Sequence, residues 1–370
     1  MNLRFSNPKS SGADMVFISF VVIFVIFGLV MLMSASSEGA RSAFNDSAYY
    51  VKHQILSGLI PGIIGFLLGY FIYYRIWEKL APYILITGII LLVLVLIPHV
   101  GVTLKGGTRW INLGTFSFQP GEIMKLTFFI YLSAWISKNI QRGKNFLEGL
   151  APFTILIGLV MSLLLLQPAT SMAGLIFFTS LFVYFTSGAK IRFLAALVLI
   201  ACLGVIGLFS FKSYRTARLD TFVNAASDPQ GKGYHIAQAQ LAIGSGGLFG
   251  VGFGKSTTKY YLPEPMGDSI FAVISEELGF VGAGALLIAF LAFLWRGLKI
   301  ARDSSDTFAR YLATSFMCMF GLQAFVNIGA ISGVIPMTGV PLPFISYGGT
   351  ALAVFLTMCG IIANISKYRR

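Results

Sequence analysis

The chain has 370 residues, of which 56% are hydrophobic and only 11% are charged, yet its formal net charge is +13. A soluble fold of this length would cover itself with about 25% charged residues, so the composition excludes an ordinary soluble domain and indicates a surface that mostly faces lipid. The basic residues are scattered singly between apolar runs rather than clustered with aromatic residues, which favours membrane topology over nucleic-acid binding.

Ten apolar runs are long enough for a helix to cross the hydrocarbon core of a bilayer. The proline in QPATS, residues 167–171, predicts a tight hairpin between the fifth and sixth spans rather than one long helix. We therefore expect an all-α, polytopic membrane protein that forms a single domain over residues 1–370. The predicted spans are residues 15–35, 53–74, 80–99, 120–137, 149–166, 170–187, 191–211, 269–295, 308–332 and 345–366.

The Lys and Arg residues predict the orientation of these spans. Ten spans place both termini on one side of the membrane, and sixteen basic residues fall in short segments on that side, against five in short segments on the other. The positive-inside rule then predicts that both termini are cytoplasmic. The extracytoplasmic segments are about 100–119, a large loop 212–267 between spans seven and eight, and 333–345, and loops this long are usually functional.

The first extracytoplasmic segment contains Arg109 and leads through Gln119 into the fourth span. On that span Glu122 and Lys125 are three residues apart, so they share a helix face and can form an ion pair. One interpretation is a purely structural pair at the outer boundary. The other is that Arg109 and Lys125 present cations to an anionic headgroup, because ionisable groups at membrane depth are usually functional.

The large loop carries a pair of arginines and a cluster of glycines. Arg215 and Arg218 are three residues apart, and their planar guanidinium groups suit a diphosphate, although a basic segment beside a membrane also binds phospholipid. Six glycines lie between Gly244 and Gly254. No Walker or dinucleotide-binding pattern accompanies them, so a re-entrant or surface-lying turn is the better interpretation.

The stretch YLPEPMGDSIFAVISEELGFVG places carboxylates at the start of the eighth span. Asp268 falls at the predicted first turn, where an Asp commonly serves as an N-cap that Ser, Thr or Asn could replace. Glu276 and Glu277 lie more than two turns into the span, where a carboxylate is costly unless it meets a cation or water. We expect both to be buried partners of basic outer residues, with Lys125 or Arg109 as the counter-ion of Glu276.

Six motifs, taken in chain order, resemble the SEDS family of FtsW, RodA and SpoVE proteins over nearly the whole chain. The loop IGSGGLFGVGFGKS followed by YLPEP is more similar to FtsW, the division members, than to RodA, the elongation members. The motifs are GGTRWINLG, FQPGEIMK, YRTARL, DPQGKGYHIAQAQLAIGSGGLFGVGFGKS, YLPEP with IFAVISEELGFVGA, and TGVPLPFISYGGT.

The resemblance implies a peptidoglycan glycosyltransferase of bacterial cell division in the cytoplasmic membrane. Such an enzyme polymerises lipid II into β-1,4-linked glycan on the outer face and releases undecaprenyl diphosphate. The expected partners are lipid II, polyprenyl-linked glycan, a class B penicillin-binding protein with transpeptidase activity, other divisome proteins and membrane lipid. Two alternatives stay open: a lipid II flippase, and a non-catalytic scaffold for the transpeptidase. Ionisable residues gather in the outer third of the spans, which favours the enzyme over the flippase.

The resemblance also implies roles for individual residues. The essential aspartate of the family matches Asp268, and Glu276 and Glu277 are assigned a supporting role. Asp268 is preceded by Met266 and Gly267 where the family usually has His-Thr, and Ala169 replaces a usual aspartate in the hairpin, which leaves Asp268 as the main catalytic candidate. The cationic and polar set of the family matches Arg109, Gln119, Glu122, Lys125, Arg215 and Arg218. Within this set Glu122 is assigned a supporting role, and the other five residues are assigned to substrate binding.

The chemistry of lipid II agrees with a single catalytic carboxylate. A diphosphate leaves readily once cations neutralise it, so the site needs a base for the 4-hydroxyl of the acceptor sugar rather than a pair of carboxylates. Arginine and lysine side chains, or a divalent cation such as Mg²⁺ or Mn²⁺, would neutralise the diphosphate as its charge develops.

Overall fold

The computed structural model describes residues 12–104, 107–112, 114, 117–139, 143, 145–200 and 233–369. These residues are mostly helical, as predicted. Two of the helices begin or continue through a π-helical turn, at Ile55–Leu59 and Phe146–Leu150. The helices are α1 Met15–Phe44, α2 Tyr49–Phe71, α3 Tyr74–Leu94, α4 Pro120–Lys138, α5 Phe146–Leu166, α6 Thr170–Thr186, α7 Ile191–Ile200, α8 Tyr234–Ser245, α9 Ile270–Asp303, α10 Thr307–Ile331 and α11 Gly349–Ser366.

Seven helices within the described residues are long and apolar enough to cross a membrane, so the chain is a multi-pass membrane protein. They are α1, α2, α3, α5, α9, α10 and α11. The apolar helices α6 and α7 are shorter. The total of ten spans stays a prediction, since the seventh predicted span continues beyond the described residues. The predicted tight hairpin is confirmed, because α5 ends at Leu166 and α6 begins at Thr170.

A small antiparallel sheet occupies the segment between α3 and α4. Its strands are β1 Gly101–Leu104, β2 Gly107–Asn112 and β3 Ser117–Phe118, in the order β1-β2-β3. This sheet departs from the all-α prediction, which expected an extracytoplasmic segment without strands here. The difference has a physical basis: pairing satisfies the backbone N–H and C=O groups of a segment that lies next to an apolar environment.

The helices pack closely where small residues face one another. Gly62 and Gly69 of α2 lie against α11, and a Cβ atom at Gly69 would fall 2.7 Å from the backbone nitrogen of Ile361. Such small residues let helices approach in a membrane, where water does not drive them together. At the centre of the bundle, the ring of Phe344 packs among four other phenylalanines, which anchors the loop before α11. These are Phe24, Phe293, Phe320 and Phe355.

The two ends of the described chain meet at one end of the bundle. The buried Asp14 caps α1 by accepting from the N–H of Phe17, and it forms ion pairs with Arg296 at 2.8 Å and Arg369 at 2.5 Å. Burial by itself raises the pKa of Asp14, but the hydrogen bonds from Arg296, Phe17 and Arg369 outweigh this effect and leave the pKa lowered. The shared location is what an even number of spans requires.

Candidate active site

Asp268 lies in the turn that leads into α9, at the end of the bundle opposite Asp14. The N-cap position of α9 is held by Ser269, so the interpretation of Asp268 as the helix cap does not hold. The hydroxyl of Ser269 donates to the carbonyl of Pro263 at 2.7 Å. The turn is therefore held by its own backbone and by Ser269, and the half-buried Asp268 lies one residue before the N-cap.

The loop between α10 and α11, residues 332–348, packs around this turn. Ser346 donates its hydroxyl to the carbonyl of Gly267 at 2.6 Å, and the N–H of Tyr347 donates to the carbonyl of Met266 at 2.8 Å. Gly339 faces the carboxylate, because a Cβ atom there would lie 3.5 Å from Oδ2 of Asp268. Its φ of 64° is also a conformation that favours glycine. The loop thus forms one wall beside Asp268.

Glu122 and Lys125 form the predicted ion pair on α4. The Nζ atom of Lys125 lies 2.6 Å from Oε2 of Glu122, and both side chains are at most 3% exposed. Lys125 also donates to Oε1 of Gln323 at 2.9 Å and lies 4.9 Å from the centre of the Phe355 ring. The charge of Lys125 is therefore balanced inside the protein.

Two buried amides on α10 connect this pair to the Asp268 turn. Gln323 donates to the carbonyl of Pro341 at 2.9 Å. Asn327, one helical turn later, donates at 2.7 Å both to the carbonyl of Asp268 and to that of Val340. Neither amide was among the predicted site residues. The available signal was their i, i+4 spacing in an otherwise apolar span, which places two polar groups on one helix face.

Arg109 and Gln119 hold the surrounding segments in place. Arg109 donates its Nε to the carbonyl of Gln167 at 3.1 Å and its terminal nitrogen to the carbonyl of Pro168. The N–H of Gln119 donates to the hydroxyl of Thr350 at 3.2 Å. The structure thus brings Arg109 onto the hairpin between α5 and α6 that lacks the usual acid of the family.

Glu276 and Glu277 lie in a separate cluster, and the prediction that Lys125 or Arg109 is the counter-ion of Glu276 is wrong. Glu276 accepts hydrogen bonds from the segment Ser256–Thr258 instead. Glu277 accepts from Ser34 at 2.6 Å and lies 3.8 Å from the Nζ atom of Lys259. Lys125 is already neutralised by Glu122, so it has no need of a second carboxylate. Arg215 and Arg218 lie outside the described residues.

Two titratable groups border the Asp268 turn from outside the spans. The Nε2 atom of His235 lies 2.7 Å from the hydroxyl of Ser269, and burial lowers the pKa of this histidine although nearby Glu264 opposes the shift. The hydroxyl of Tyr347 lies 2.7 Å from Nδ1 of His53, and burial raises the pKa of the tyrosine to about 12. Both groups are neutral near pH 7, so they shape the site by hydrogen bonding rather than by charge.

The residues at this turn do not form a metal centre by themselves. Throughout the described ranges, no group of three or more His, Cys, Asp or Glu side chains is placed to hold a metal ion. Mg²⁺ is often bound by only one or two carboxylates together with substrate phosphates. A Mg²⁺ or Mn²⁺ ion would therefore fit here only with Asp268 and the oxygens of a bound diphosphate.

The fold and the site together define a multi-pass membrane protein with a carboxylate turn, a polar loop and a buried ion pair at one end of the helical bundle. The sequence model of the FtsW, RodA and SpoVE family, described as "Cell cycle protein", matches residues 14–370. The chain belongs to this family.

Individual relatives cover almost the whole chain. Stage V sporulation protein E of Bacillus subtilis (strain 168) is 36% identical over 363 residues, which is 98% of this chain and 99% of the relative. A protein of Geobacter sp. (strain M18), named probable peptidoglycan glycosyltransferase FtsW, is also 36% identical with the same coverage. A protein of that name from Trichlorobacter lovleyi is 37% identical and covers 95% of this chain and 93% of the relative.

Solved structures share the fold. A chain in the structure described as "Structural coordination of polymerization and crosslinking by a peptidoglycan synthase complex" superposes with a TM-score of 0.80 at 28% identity, covering 96% of this chain and 97% of that one. The rod shape determining protein RodA of Thermus thermophilus superposes with a TM-score of 0.71, also at 28% identity, over 96% of this chain and 97% of that one.

Proposed function

We propose that this protein is a peptidoglycan glycosyltransferase of cell division that polymerises lipid II. Relatives named probable peptidoglycan glycosyltransferase FtsW match it over nearly their full length. The observation that carries the proposal is the half-buried Asp268, which lies at one end of the bundle against the loop 332–348. The amides of Asn327 and Gln323 connect this turn and loop to the buried pair of Glu122 and Lys125. A carboxylate in such a place suits a general base better than a structural helix cap.

The proposed orientation places Asp268 on the extracytoplasmic face of a bacterial cytoplasmic membrane. Arg296, which pairs with Asp14, lies far along α9 from the Asp268 turn, since the stretch from Phe280 to Arg296 alone spans about 24 Å at about 1.5 Å per residue. The two termini and the Asp268 turn are therefore at opposite ends of the bundle. With ten spans and the surplus of Lys and Arg beside the termini, the termini are cytoplasmic and the site faces outward.

In the proposed reaction, Asp268 takes the proton from the 4-hydroxyl of the acceptor sugar. The hydroxyl oxygen attacks C1 of the donor sugar, the bond from C1 to the diphosphate oxygen breaks, and undecaprenyl diphosphate leaves with its electron pair. Inversion at C1 gives the β-1,4 linkage. Arg215 and Arg218 bind the diphosphate in this scheme, and a bound divalent cation would supply additional neutralisation. Arg109, Gln119 and Lys125, with Glu122, position the walls of the site, because the contacts of Arg109 and Lys125 engage them with the protein.

The proposed protein partner is a class B penicillin-binding protein. The structural match to a chain of a peptidoglycan synthase complex, described in terms of polymerisation and crosslinking, supports a crosslinking partner. Lipid II, the growing glycan and other divisome proteins complete the proposed set of partners.

The test is lipid II polymerisation by purified protein, with and without a transpeptidase partner. Replacing Asp268 by Asn removes the base and keeps the size of the side chain, so we expect a loss of about 10²- to 10⁴-fold in rate. Glu264→Gln is the matched control, because Glu264 is an exposed carboxylate of the same turn, and near-normal activity is expected. An Asp268→Asn protein that folds and polymerises normally would refute the catalytic assignment. Lipid II scrambling in liposomes, measured in parallel, separates this enzyme from a flippase.

A further inference from the structure

Helix α9 consists of two pieces joined at Gly279. This residue has φ 66° and ψ −167°, which is not a helical conformation. In the first piece, residues 270–277 are each at most 4% exposed, whereas Phe280 just after the break is 73% exposed. The first piece begins two residues after Asp268 and is enclosed by protein. Its position, and with it the position of Asp268, is therefore set by contacts within the protein.

The glycine-rich loop after α8 supplies the backbone partners that the break leaves without helical bonds. Gly250 and Gly279 allow this approach, because a Cβ atom at Gly279 would lie 2.3 Å from the backbone nitrogen of Gly250. The first piece is thereby bonded to the loop at its carboxyl end. The four bonds are Val251 N to Glu276 O at 2.9 Å, Gly252 N to Glu277 O at 3.1 Å, Phe280 N to Gly247 O at 2.9 Å and Val281 N to Leu248 O at 3.0 Å.

The side chain of Glu276 accepts four hydrogen bonds from Ser256, Thr257 and Thr258, which continue the same loop. These four bonds are called the clasp below. Glu276 is 1% exposed, and its Oε2 accepts from the hydroxyl of Ser256 at 2.5 Å. Its Oε1 accepts from the N–H groups of Thr257 and Thr258 at 3.1 and 3.2 Å, and from the hydroxyl of Thr258 at 3.0 Å. Within the described part of the chain, no Lys or Arg forms an ion pair with it. A buried carboxylate is tolerated only when its oxygens accept hydrogen bonds. All four partners donate to Glu276, so this position requires a side chain with an acceptor oxygen.

The loop is tied to the other end of the same piece as well. Pro263 accepts from Ser269, and Glu264 accepts through its carbonyl from the N–H of Ser269 at 3.2 Å. The segment 256–264 thus runs beside the first piece of α9 and is bonded to both of its ends. From Ile270 to Glu276 the helix extends about 9 Å, less than two turns, so a shift at Glu276 is carried over only a short distance to the Asp268 turn.

We propose that Glu276 is a positioning residue for Asp268, and that it acts through hydrogen bonds rather than through its charge. This inference rests on the proposed function of Asp268 as the base. Loss of these four side-chain bonds loosens the carboxyl end of the piece, which keeps its backbone bonds to Val251 and Gly252, and allows the carboxylate at the other end to shift. A displacement of about 1 Å at a reacting group lowers a rate by up to about 10²-fold.

Two substitutions at this position separate the roles of geometry and charge. In Glu276→Gln, the amide oxygen retains the three bonds at Oε1, and the amide nitrogen donates to the hydroxyl of Ser256 in place of accepting from it. Glu276→Ala loses all four bonds. We expect Glu276→Ala to lower kcat about 10- to 100-fold with little change in the KM for lipid II, and Glu276→Gln to retain most of the wild-type kcat.

Further variants guard against a general effect on stability. Asn364→Ala is the matched control, because Asn364 is buried at the other end of the bundle with bonds to Tyr70 and Tyr74. It should lower the melting temperature without changing kcat. Thr258→Val removes one side-chain donor and keeps the shape of the residue, so it tests the clasp through kcat if Glu276→Ala does not fold. The effects of Asp268→Glu and Glu276→Ala should combine less than multiplicatively, since both displace the same carboxylate.

The outcomes distinguish this inference from the function on which it rests. If Asp268→Asn is inactive but both Glu276→Gln and Glu276→Ala lose activity equally, the charge of Glu276 is needed and the positioning role is overturned. A folded Glu276→Ala or Thr258→Val protein with wild-type kcat overturns it too. If Asp268→Asn itself retains activity, the proposed function fails, whatever the Glu276 variants do.

Discussion

The ion pair between Glu122 and Lys125 allows a sharp prediction about stability. Lys125→Met keeps the length of the side chain and removes its charge. The change leaves a carboxylate that is 3% exposed without its cation, and it leaves Oε1 of Gln323 without the donor that now lies at 2.9 Å. Removing one member of a buried pair typically costs about 3–5 kcal/mol, because the remaining charge is uncompensated. The free energy of unfolding should fall by at least this amount.

Two controls test whether burial is the cause of this effect. The double variant Glu122→Gln with Lys125→Met removes both charges, so its stability should return close to that of the wild type. Lys52 also forms an ion pair, with Asp46 at 2.7 Å, but the Lys52 side chain is 64% exposed. Lys52→Met should therefore change the free energy of unfolding by about 1 kcal/mol or less.

Thermal or denaturant unfolding in detergent measures the free energy of unfolding of the four proteins. Lipid II polymerisation is recorded separately, because Gln323 also bonds the loop beside Asp268. This prediction would be refuted if Lys125→Met were as stable as Lys52→Met. It would equally fail if the double variant were as unstable as Lys125→Met, since the missing contacts rather than the unpaired charge would then be responsible.

Three further predictions concern the break in α9 and two titratable groups. Gly279→Ala should destabilise the protein by about 1 kcal/mol or more, because the φ of Gly279 is positive and the new Cβ atom would meet the backbone of Gly250. Gly284 in the same helix faces open space, so Gly284→Ala should be neutral or stabilising in the same thermal melts. Because burial lowers the pKa of His235 below its ordinary 6.5, stability should fall as the pH drops through that value, and His235→Gln should reduce this dependence in melts between pH 8 and 5. The pKa of Asp14 is lowered from its ordinary value of 3.8, so the ionised Asp14 stabilises the fold above pH 3.8, and this stability is lost as the pH falls below 3.8. Asp14→Asn should therefore lower the melting temperature at pH 7 and reduce the dependence of the melting temperature on pH in acid.

The positions of the helices were predictable because each depends on a local property, the length of an apolar run. The tight hairpin was predictable from another local feature, the proline at position 168, which disfavours one continuous helix. The sheet and the break at Gly279 were not, since both depend on backbone partners in other segments. Gly279 is one of many glycines in this chain, and only the approach of the loop at Gly250 distinguishes it.

At the candidate site, too, local contacts were predictable and contacts between distant segments were not. The pairing of Glu122 with Lys125 followed from the helical period, because three residues are enough to place both on one face. The partners of Glu276 did not follow, since the clasp at Ser256 depends on how a glycine-rich loop folds back. Gln323 bonds Lys125 across 198 positions of the sequence, a distance over which a single sequence carries no pairing information.

The distribution of charge along the helices bears on the choice between polymerisation and transport. In the part of the chain that the structure describes, α9 has no charged residue from Leu278 to Trp295, a length of about 26 Å at 1.5 Å per residue. Helix α11 has none from Gly349 to Ser366, and α10 has none from Tyr311 to its end.

The charged side chains of these helices are therefore confined to the two ends of the bundle, with apolar packing between them. A path for a charged lipid headgroup would need polar groups near the midplane to replace the water that the headgroup loses. The polar contacts near Asp268 instead meet at one turn and its neighbouring loop. Asn327 donates to the carbonyl of Asp268, and Gln323, one helical turn earlier, links Lys125 to the loop 332–348. Under the proposed function, this arrangement holds Asp268 at the end of the bundle where a lipid-linked sugar would reach it without crossing the bilayer.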